Sequence, residues 1–461
     1  MGIPTTIVTR RGFTQVVSNA FAGLGFPAEA PVTSEFPLEM FLPGSDLTPL
    51  RKGIDKIVEG LTKWQPKIKT KGVVHREMVS VQGADYKKAV ANMNKLSLKN
   101  LWGDGLPLLP ATEDQVKWIL TGADLPRDTV IGKITPRGGI ATVQDIAVSL
   151  AMAGGRPEYL PVLIAAVDAM SQPEWGLERM NATTSSVYPA VVVNGPIARE
   201  IRLNSGYGAL GPDPLHPAGG PIGRALRLIL QNMGGALPGT GTMAIYGGMR
   251  FTNAVFAEDE EGLPKDWKPL SVQRGFASGK NVVTVIPVGS ATNVMLTFSD
   301  SPKAKDTQTQ YLHRMAGFMR APNINVFGDV MREGPNFPSG VVLIARGWAN
   351  DLSKAGYSED KVKQFLWENS KIPWSDIVAA GMATKAKVNH WVSREGEAIP
   401  LVPKPEQITI VVAGGDQSGH AYWMQVGSTQ YRMLSKEIKL PAKWQALLNQ
   451  AETDFGPAPA R

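Results

Sequence analysis

Short, continuous apolar runs most constrain how this chain can fold. Examples are "PAVVVNG", "NVVTVIPV", "SGVVLIARG" and "ITIVVAGG", most of which run into glycine. A run that is apolar at consecutive positions is typical of a strand buried on both faces of a sheet. Helical patterns such as "PIGRALRLILQNMGG", with its start expected after Pro221, lie between the runs. The sequence therefore predicts one large α/β or α+β domain over residues 73–461.

Residues 1–66 predict a smaller unit, a partial doubly wound α/β fold. "IPTTIVTR" is typical of a buried strand, and "FTQVVSNAFAGLGF" of a helix that ends at glycine. A second helix is predicted by apolar residues at helical spacing, namely Leu50, Ile54, Ile57, Val58 and Leu61. Two strands and two helices are about half of a doubly wound domain, and such a sheet has open edges. We expect the domain boundary near residues 65–72.

The chain has no cysteine and only five histidines. Thiol nucleophiles, disulfides and thiolate metal sites are therefore excluded within the chain, and a polyhistidine metal site is not expected. The glycine-rich stretches lack both the G-x-G-x-x-G dinucleotide spacing and a P-loop lysine. The cofactor is left open, because the sequence contains neither a metal motif nor a nucleotide motif.

Charge and hydropathy are those of an ordinary globular protein. No apolar run approaches the roughly 18 residues that a membrane span needs. Arg10 and Arg11 are not followed by an apolar region, which argues against a secretory signal, and we expect a cytoplasmic protein. The net charge of +7 reflects either a solvated surface or attraction of an anionic substrate or partner. We expect neither nucleic acid nor a membrane as a partner, since no basic stripe alternates with aromatic residues.

Two glycine-rich loops after predicted strands are candidate ligand sites. The first contains Asn194 and Asn204, and it predicts either a cradle for an anion or carboxylate or a turn-rich connection. The second contains Gly414, Gly415 and His420, in "ITIVVAGGDQSGHAYW". A strand that runs into a glycine loop is where α/β proteins place ligand sites. His420 is therefore a candidate catalytic residue, and a hydrogen-bonded surface histidine is the alternative.

A run of carboxylates follows the apolar segment "TNAVFA". Its first member, Glu258, is expected at a strand end with its side chain directed inward. There it could act as a general acid or base or bind a hard cation, and a solvated loop is the alternative. Arg274, in "VQRGF", is the candidate partner of Glu258. We treat both as candidate catalytic residues.

Two polar clusters are candidate substrate-binding groups. Arg224 is expected in the first turn of a helix, where the helix dipole disfavours a cation unless it faces a carboxylate or phosphate. It therefore predicts either binding of an anionic substrate group or a structural salt bridge. Asn181, Thr183 and Thr184, in "RMNATTSSVYP", could orient a polar substrate or cap a turn.

Several long blocks occur together in this chain: "GDGLPLLPATEDQV", "AMAGGRPEYLPVLIAAVDAM", "NATTSSVYPAVVVNGPIAREIRLNSG", "IGRALRLILQNMGGALPG" and "FAEDEE" followed by "VQRGF". In this order they resemble the large domain of the UGSC family. These are bacterial proteins, some of them selenoproteins, named for a selenocysteine-Gly-Ser-Cys motif. The resemblance covers most of residues 3–290, and "VVAGG" near residue 414 extends it. Asp104 lies in the first block and joins the candidate substrate-binding residues.

Longer members of that family carry the redox motif in a small α/β domain, on a loop after a strand. That domain continues through segments similar to "IPTTIVTRRGFTQVV" and "PLRKGIDKIVEGL". The resemblance therefore implies that this chain starts downstream of the redox motif. It also implies a smaller cysteine- or selenocysteine-bearing subunit that completes the amino-terminal sheet. The lack of every cysteine is a departure from the family, and it assigns any thiol chemistry to that partner.

Three functions follow as hypotheses. The leading one is the large, substrate-binding subunit of a heteromeric enzyme whose partner-borne thiol or selenol acts on a carbon–heteroatom bond of a small polar substrate. The second is a cysteine-independent hydrolase or lyase that acts alone, with Glu258 or Glu260 as general base and with or without a carboxylate-bound metal. The third is a non-catalytic subunit that binds a ligand for another enzyme.

Overall fold

The computed structural model describes residues 5–24, 26, 33–37, 40, 44–63, 78–247, 254–296, 304–320, 340–384, 396–426 and 431–457. The domain boundary predicted near residues 65–72 lies outside these residues. Within them, no helix combines the length and the apolar character that crossing a membrane requires.

In its described residues, the amino-terminal unit contains a two-stranded parallel sheet and three helices. Its elements are β1 (Ile7–Arg10), α1 (Thr14–Gly23), β2 (Thr33–Phe36), α2 (Thr48–Lys52) and α3 (Ile54–Lys63). The predicted order of strand, helix, strand and helix is confirmed. The second predicted helix is divided at Gly53, which separates α2 from α3. The prediction of a buried first strand is wrong, because Val8 in the middle of β1 is 39% exposed.

Helix α1 joins this unit to the rest of the molecule. A Cβ atom on Gly23 would lie 2.1 Å from the carbonyl oxygen of Pro136, so the glycine allows α1 to approach that backbone closely. Pro136 lies in the turn between β3 (Val130–Ile134) and β4 (Gly139–Thr142), which pair as an antiparallel hairpin. The amino-terminal unit is therefore held against the larger body by one face of α1.

The larger body contains all the other elements. Its further strands are β5 (Tyr188–Asn194), β6 (Ala254–Ala257), β7 (Val282–Met295), β8 (Gly340–Ile344), β9 (Thr409–Val412), β10 (His420–Val426) and β11 (Leu434–Glu437). Its helices are α4 (Tyr86–Lys99), α5 (Glu113–Leu120), α6 (Val143–Met152), α7 (Leu160–Ser171), α8 (Leu177–Ala182), α9 (Ile197–Glu200), α10 (Gly219–Asn232), α11 (Leu270–Gln273), α12 (Ala304–Met319), α13 (Arg346–Lys354), α14 (Glu359–Asn369), α15 (Trp374–Ala379) and α16 (Trp444–Phe455). The four apolar runs form β5, β7, β8 and β9, as predicted.

Among the described residues of this body, seven strands form one mixed sheet in the order β6-β5-β7-β10-β8-β9, with β11 also paired to β7. The pairs β5–β6 and β8–β9 are parallel, whereas β5–β7, β7–β10 and β10–β8 are antiparallel. The same arrangement therefore occurs twice. In each half a buried strand has a parallel strand outside it and an antiparallel strand inside it.

Both faces of the sheet are covered by apolar residues. On β8, Val341 and Leu343 belong to one buried cluster, whereas Val342 and Ile344 belong to another. This alternation follows from the two-residue period of a strand. Helices α6, α7 and α10 contribute to the first cluster, and α12, α13 and α14 contribute to the second. The fold is α/β, and burial on both faces explains why the runs are continuously apolar.

The start of α10 differs from the prediction. The helix begins at Gly219 and contains Pro221 as its third residue, which is possible because the first amides of a helix have no intrahelical acceptor. Arg224 therefore lies in the second turn, and the prediction that it lies in the first is wrong.

Candidate functional site

The two outermost strands of the sheet meet at their carboxyl ends. The amide of Asp259, just after β6, donates to the carbonyl of Val412 in β9 at 2.8 Å. Gly414, just after β9, donates to the carbonyl of Ser205 at 2.8 Å. The sheet thus curls until β6 and β9 are neighbours. We call this region the strand-end site, with the side chains Asn194, Glu258, Asp259, Glu260, Arg346 and Asp416.

Glu258 is a deeply buried carboxyl group of the strand-end site, with 3% of the residue exposed. Its Oε2 accepts hydrogen bonds from Asn194 Nδ2 at 2.6 Å and from the amide of Leu270 at 2.7 Å. Burial raises the pKa of Glu258 to about 8, although these hydrogen bonds act in the opposite direction. The side chain is therefore mainly protonated near neutral pH, and it can donate a proton.

Asn194, the last residue of β5, connects two carboxyl groups. Its Nδ2 donates to Glu258 and also to Glu260 Oε1, the latter at 2.7 Å. Glu260 Oε1 accepts a further hydrogen bond from the amide of Gly195 at 2.7 Å. The other amide atom, Asn194 Oδ1, is buried and has no hydrogen-bond partner among the described residues. Asn194 therefore fixes the spacing of the two acids and presents one unused buried acceptor.

Arg346 links the two halves of the sheet electrostatically. It is the first residue of α13, directly after β8, and its Nε donates to Asp259 Oδ2 at 2.6 Å. Its Nη1 lies 3.6 Å from Asp416 Oδ1, after β9. The Asp259 side chain is 3% exposed, whereas that of Arg346 is 30% exposed. Arg346 thus places a partly exposed cation between the carboxylates that follow β6 and β9.

The glycine loop after β9 packs tightly against the first half of the molecule. Gly414 has a φ of +105°, a left-handed conformation that favours glycine. A Cβ on Gly415 would lie 2.1 Å from the ring of Tyr207, so the ring rests on the glycine backbone. Tyr207 itself is 64% exposed. Gly414 and Gly415 therefore belong to the strand-end site through their backbone.

Asn204 reaches the strand-end site mainly through its main chain. Its carbonyl accepts a hydrogen bond from the amide of Ala257, next to Glu258, at 2.8 Å. Its side-chain Nδ2 donates to the carbonyl of Tyr207 at 2.9 Å and to Asp213 Oδ2 at 3.0 Å. The asparagine therefore shapes the loop that follows it.

Arg224 and Asp104 pair with each other. Arg224 Nε donates to Asp104 Oδ2 at 2.8 Å, and Nη2 donates to Oδ1 at 3.0 Å and to the carbonyl of Pro107 at 2.9 Å. A bidentate pair of this kind satisfies both charged groups. The geometry favours the structural salt bridge over the anion-binding alternative.

The residues of the "NATTSS" cluster form hydrogen bonds within the protein. Asn181 Nδ2 donates to the carbonyl of Thr135 at 2.6 Å. Thr183 Oγ1 accepts from the amide of Ser185 at 3.1 Å, and the carbonyl of Thr184 accepts from the amide of Ile245 at 3.0 Å. The Thr183 contact matches the turn-capping alternative, whereas Asn181 and the main chain of Thr184 contact segments that are distant in the sequence.

Arg274 contacts the segment around β11, whereas the main chain of His420 contacts the residue next to Arg346 of the strand-end site. Arg274 is buried, and it donates to Ser435 Oγ at 3.1 Å and to the carbonyl of Met433 at 3.0 Å. Burial lowers its pKa to about 10, so it remains charged against β11 at neutral pH. His420 begins β10, and its carbonyl accepts from the amide of Ala345, next to Arg346. His420 Nδ1 is buried without a hydrogen-bond partner among the described residues.

Sequence reasoning missed Asp259, Arg346 and Asp416. Each follows a buried strand directly or closely, as Glu258 does, so the rule that selected Glu258 would also have selected them. Within the part of the chain that the structure describes, no group of three or more acidic or histidine side chains is arranged to hold a metal ion.

The fold and the site define an α/β protein with a neutral buried acid and a paired arginine where two strand ends converge. A scan against models of protein families finds none that matches the chain, and no curated protein sequence is significantly similar to it.

Proposed function

We propose that the chain is the large, substrate-binding subunit of a heteromeric enzyme of the UGSC type. In this proposal a partner subunit carries a thiol or selenol that acts on a carbon–heteroatom bond of a small polar substrate. The strand-end site of this chain holds the substrate. Arg346 offers a charged contact to it, and Glu258 supplies a proton to the departing heteroatom.

The observation that carries the proposal is the protonation state of Glu258. A carboxyl group with a pKa raised to about 8 by burial keeps its proton at neutral pH and can release it to a leaving group. Asn194 and Leu270 hold the side chain in one orientation, which favours directed proton transfer. Perturbed acids at converging strand ends are typical of active sites.

The amino-terminal unit supports the proposed partner. In the described residues, β1 and β2 pair only with each other, so each has one free edge for a further strand. On α3, Ile54 and Val58 are each 48% exposed and Leu61 is 39% exposed, although all three are apolar. A second polypeptide that adds strands to this sheet and covers α3 would bury these groups.

Purification from the native host tests the assembly. We expect the tagged chain to bring down a smaller polypeptide that contains cysteine or selenocysteine, and native mass spectrometry should show a hetero-oligomer. Homo-oligomers alone would contradict the proposal.

Alkylation offers a sharp test of the chemistry, because the chain contains no thiol of its own. Iodoacetamide should abolish turnover by the purified complex while leaving this chain unmodified. Turnover that survives complete alkylation of the partner would exclude a partner thiol or selenol.

Exchange of Glu258 tests its role directly. Glu258→Gln should lower kcat by about 100-fold or more, since general acids contribute roughly 10²–10⁴-fold. Glu261→Gln is the matched control, because Glu261 is in the same loop and its side chain is 59% exposed. Equal activities of the two variants would remove Glu258 from the mechanism.

A second candidate function uses this chain alone, as a hydrolase or lyase. The bridge from Asn194 to both Glu258 and Glu260 favours it, because two acids in different environments can serve as acid and base. It predicts turnover by the lone recombinant chain, insensitive to alkylation. Ligand binding by calorimetry without turnover in any subunit combination would instead indicate a non-catalytic binding subunit.

A further inference from the structure

The loop between α9 and α10 contains an aspartate–histidine pair. His216 Nδ1 lies 2.5 Å from Asp213 Oδ2. The same carboxylate accepts from Asn204 Nδ2 at 3.0 Å and, through Oδ1, from the amide of Leu215 at 2.9 Å. The pair is therefore held in place by side-chain and main-chain contacts.

This arrangement selects one tautomer of the imidazole. A carboxylate beside Nδ1 keeps the ring proton on that nitrogen, which leaves Nε2 as a proton acceptor. The hydrogen bond from His216 is also the main reason that the pKa of Asp213 is lowered, so the aspartate stays ionised. The His216 side chain is 30% exposed, so a small molecule can reach it from solvent.

The pair borders the strand-end site through continuous contacts. Asn204, which binds Asp213, accepts a main-chain hydrogen bond from Ala257, the neighbour of Glu258. The next residue, Ser205, accepts from Gly414, and Tyr207 lies on Gly415. The loop that carries His216 therefore contacts the strand-end site through Asn204, Ser205 and Tyr207.

We propose that His216, oriented by Asp213, is the proton acceptor of the strand-end site, opposite the proton donor Glu258. The substrate class is then one whose conversion removes a proton from an attacking hydroxyl or thiol and delivers a proton to a departing heteroatom. This inference rests on the function proposed above, and it assigns the base that Glu258, as a protonated acid, does not supply.

The proposed step balances without a redox partner. His216 Nε2 takes the proton of the attacking O–H or S–H group while its oxygen or sulfur forms a bond to the substrate carbon. The bond from that carbon to the heteroatom breaks, its electron pair stays on the heteroatom, and the heteroatom takes the proton of Glu258. Proton exchange with water then restores both residues.

A spectroscopic test needs no substrate. Histidine labelled with nitrogen-15 gives few ring signals here, because the chain has five histidines. We expect the neutral imidazole of His216 to carry its proton on Nδ1, beside the Asp213 carboxylate. We expect Asp213→Asn to shift the balance toward the Nε2–H form. A proton on Nε2 in the wild type, or no change in Asp213→Asn, would overturn the proposal.

The kinetic test uses the complex and any substrate that the complex turns over. His216→Gly should lower kcat by about 100-fold or more with KM changed less than about 3-fold. Added imidazole should restore part of the activity, which a purely structural role would not allow. His313→Gly is the control, because His313 lies on α12 and packs against Phe365.

The outcomes separate this inference from the proposed function. If Glu258→Gln lowers turnover but His216→Gly does not, or imidazole gives no rescue, the role of His216 is refuted alone. If neither variant affects turnover, the proposed function fails as well. His216→Gln, with the tautomer measurement on Asp213→Asn, covers the case in which the glycine variant folds poorly.

Discussion

At the scale of single residues, the strand-end site handles two adjacent buried carboxyl groups in different ways. Glu258 accepts hydrogen bonds from neutral donors and keeps its proton, because desolvation and the nearby charge of Glu260 both raise its pKa. Asp259 is equally buried, but Arg346 Nε contacts it at 2.6 Å. Two consecutive residues are therefore a protonated acid and a member of an ion pair. Glu258 and the Asp259–Arg346 pair should affect stability in different ways.

The pH dependence of stability should report Glu258. Its pKa is about 8 in the fold and about 4.3 in an unfolded chain, so the folded state binds more protons between these values. Stability should therefore fall as pH rises through this window, by up to roughly 5 kcal/mol, and not change further above it. Glu258→Gln mimics the protonated acid and should remove this component. Urea denaturation of both proteins from about pH 5 to 9 measures it; parallel curves would contradict the assignment.

Arg346→Met should destabilise the fold by about 2 kcal/mol or more, because the buried Asp259 carboxylate loses this cation. The double variant Arg346→Met with Asp259→Asn should recover part of the loss, since no buried charge then remains at Asp259. Thermal unfolding of the two single variants and the double variant gives the coupling energy. Additive effects would mean that the contact is energetically unimportant.

At the scale of elements, close backbone approaches fix how α13 meets the glycine loop after β9. A Cβ on Gly347, the second residue of α13, would lie 1.8 Å from the carbonyl oxygen of Asp416. Neither backbone can yield without moving the start of the helix or the loop. The position of Arg346, the residue before Gly347, therefore depends on a glycine.

Gly347→Ala should cost about 2 kcal/mol or more and lower ligand binding at the strand-end site. The matched control is Gly220→Ala, because Gly220 is likewise the second residue of a helix, α10, and an added Cβ meets nothing within 4 Å. That variant should be neutral or slightly more stable. Chemical denaturation of the pair checks the contrast, and equal stabilities would refute the clash.

The helices and strands also show which features of the fold can be predicted from local sequence. The strands β5, β7, β8 and β9 were predictable because burial on both faces makes each run continuously apolar. The start of α10 was not, because glycine and proline can occupy a first helical turn as well as a loop. The partner of Arg224 was also out of reach, since Asp104 is distant in the sequence and only folding brings them together.

At the scale of the whole molecule, the two sheets differ: the outermost strands of the larger sheet meet, whereas the amino-terminal sheet has free edges in the described residues. The larger sheet curls until the amide of Asp259 reaches Val412. The amino-terminal sheet has two described strands with free edges. Glu258 and the glycine loop could be selected from sequence because each follows an apolar run. Their meeting could not, because it depends on strand pairings between distant segments.

A charge on the exposed face of α3 tests whether a partner covers it. Val58→Glu should abolish recovery of the smaller subunit in pull-downs while changing the unfolding temperature of the isolated chain little, because Val58 is 48% exposed. Val378→Glu is the control, since Val378 is 53% exposed on the helix α15. It should leave recovery unchanged. Loss of the subunit from both variants, or from neither, would contradict a contact at α3.

The closure between β6 and β9 also determines when the strand-end site can form during folding. Asn194 and Glu258 come from the first half of the sheet, whereas Arg346 and Gly414 come from the second. Such long-range contacts form late, after both halves of the chain have been synthesised and have collapsed. A molecule bound at the strand-end site would contact both halves of the sheet. It should therefore slow the separation of β6 from β9 more than local unfolding elsewhere in the chain.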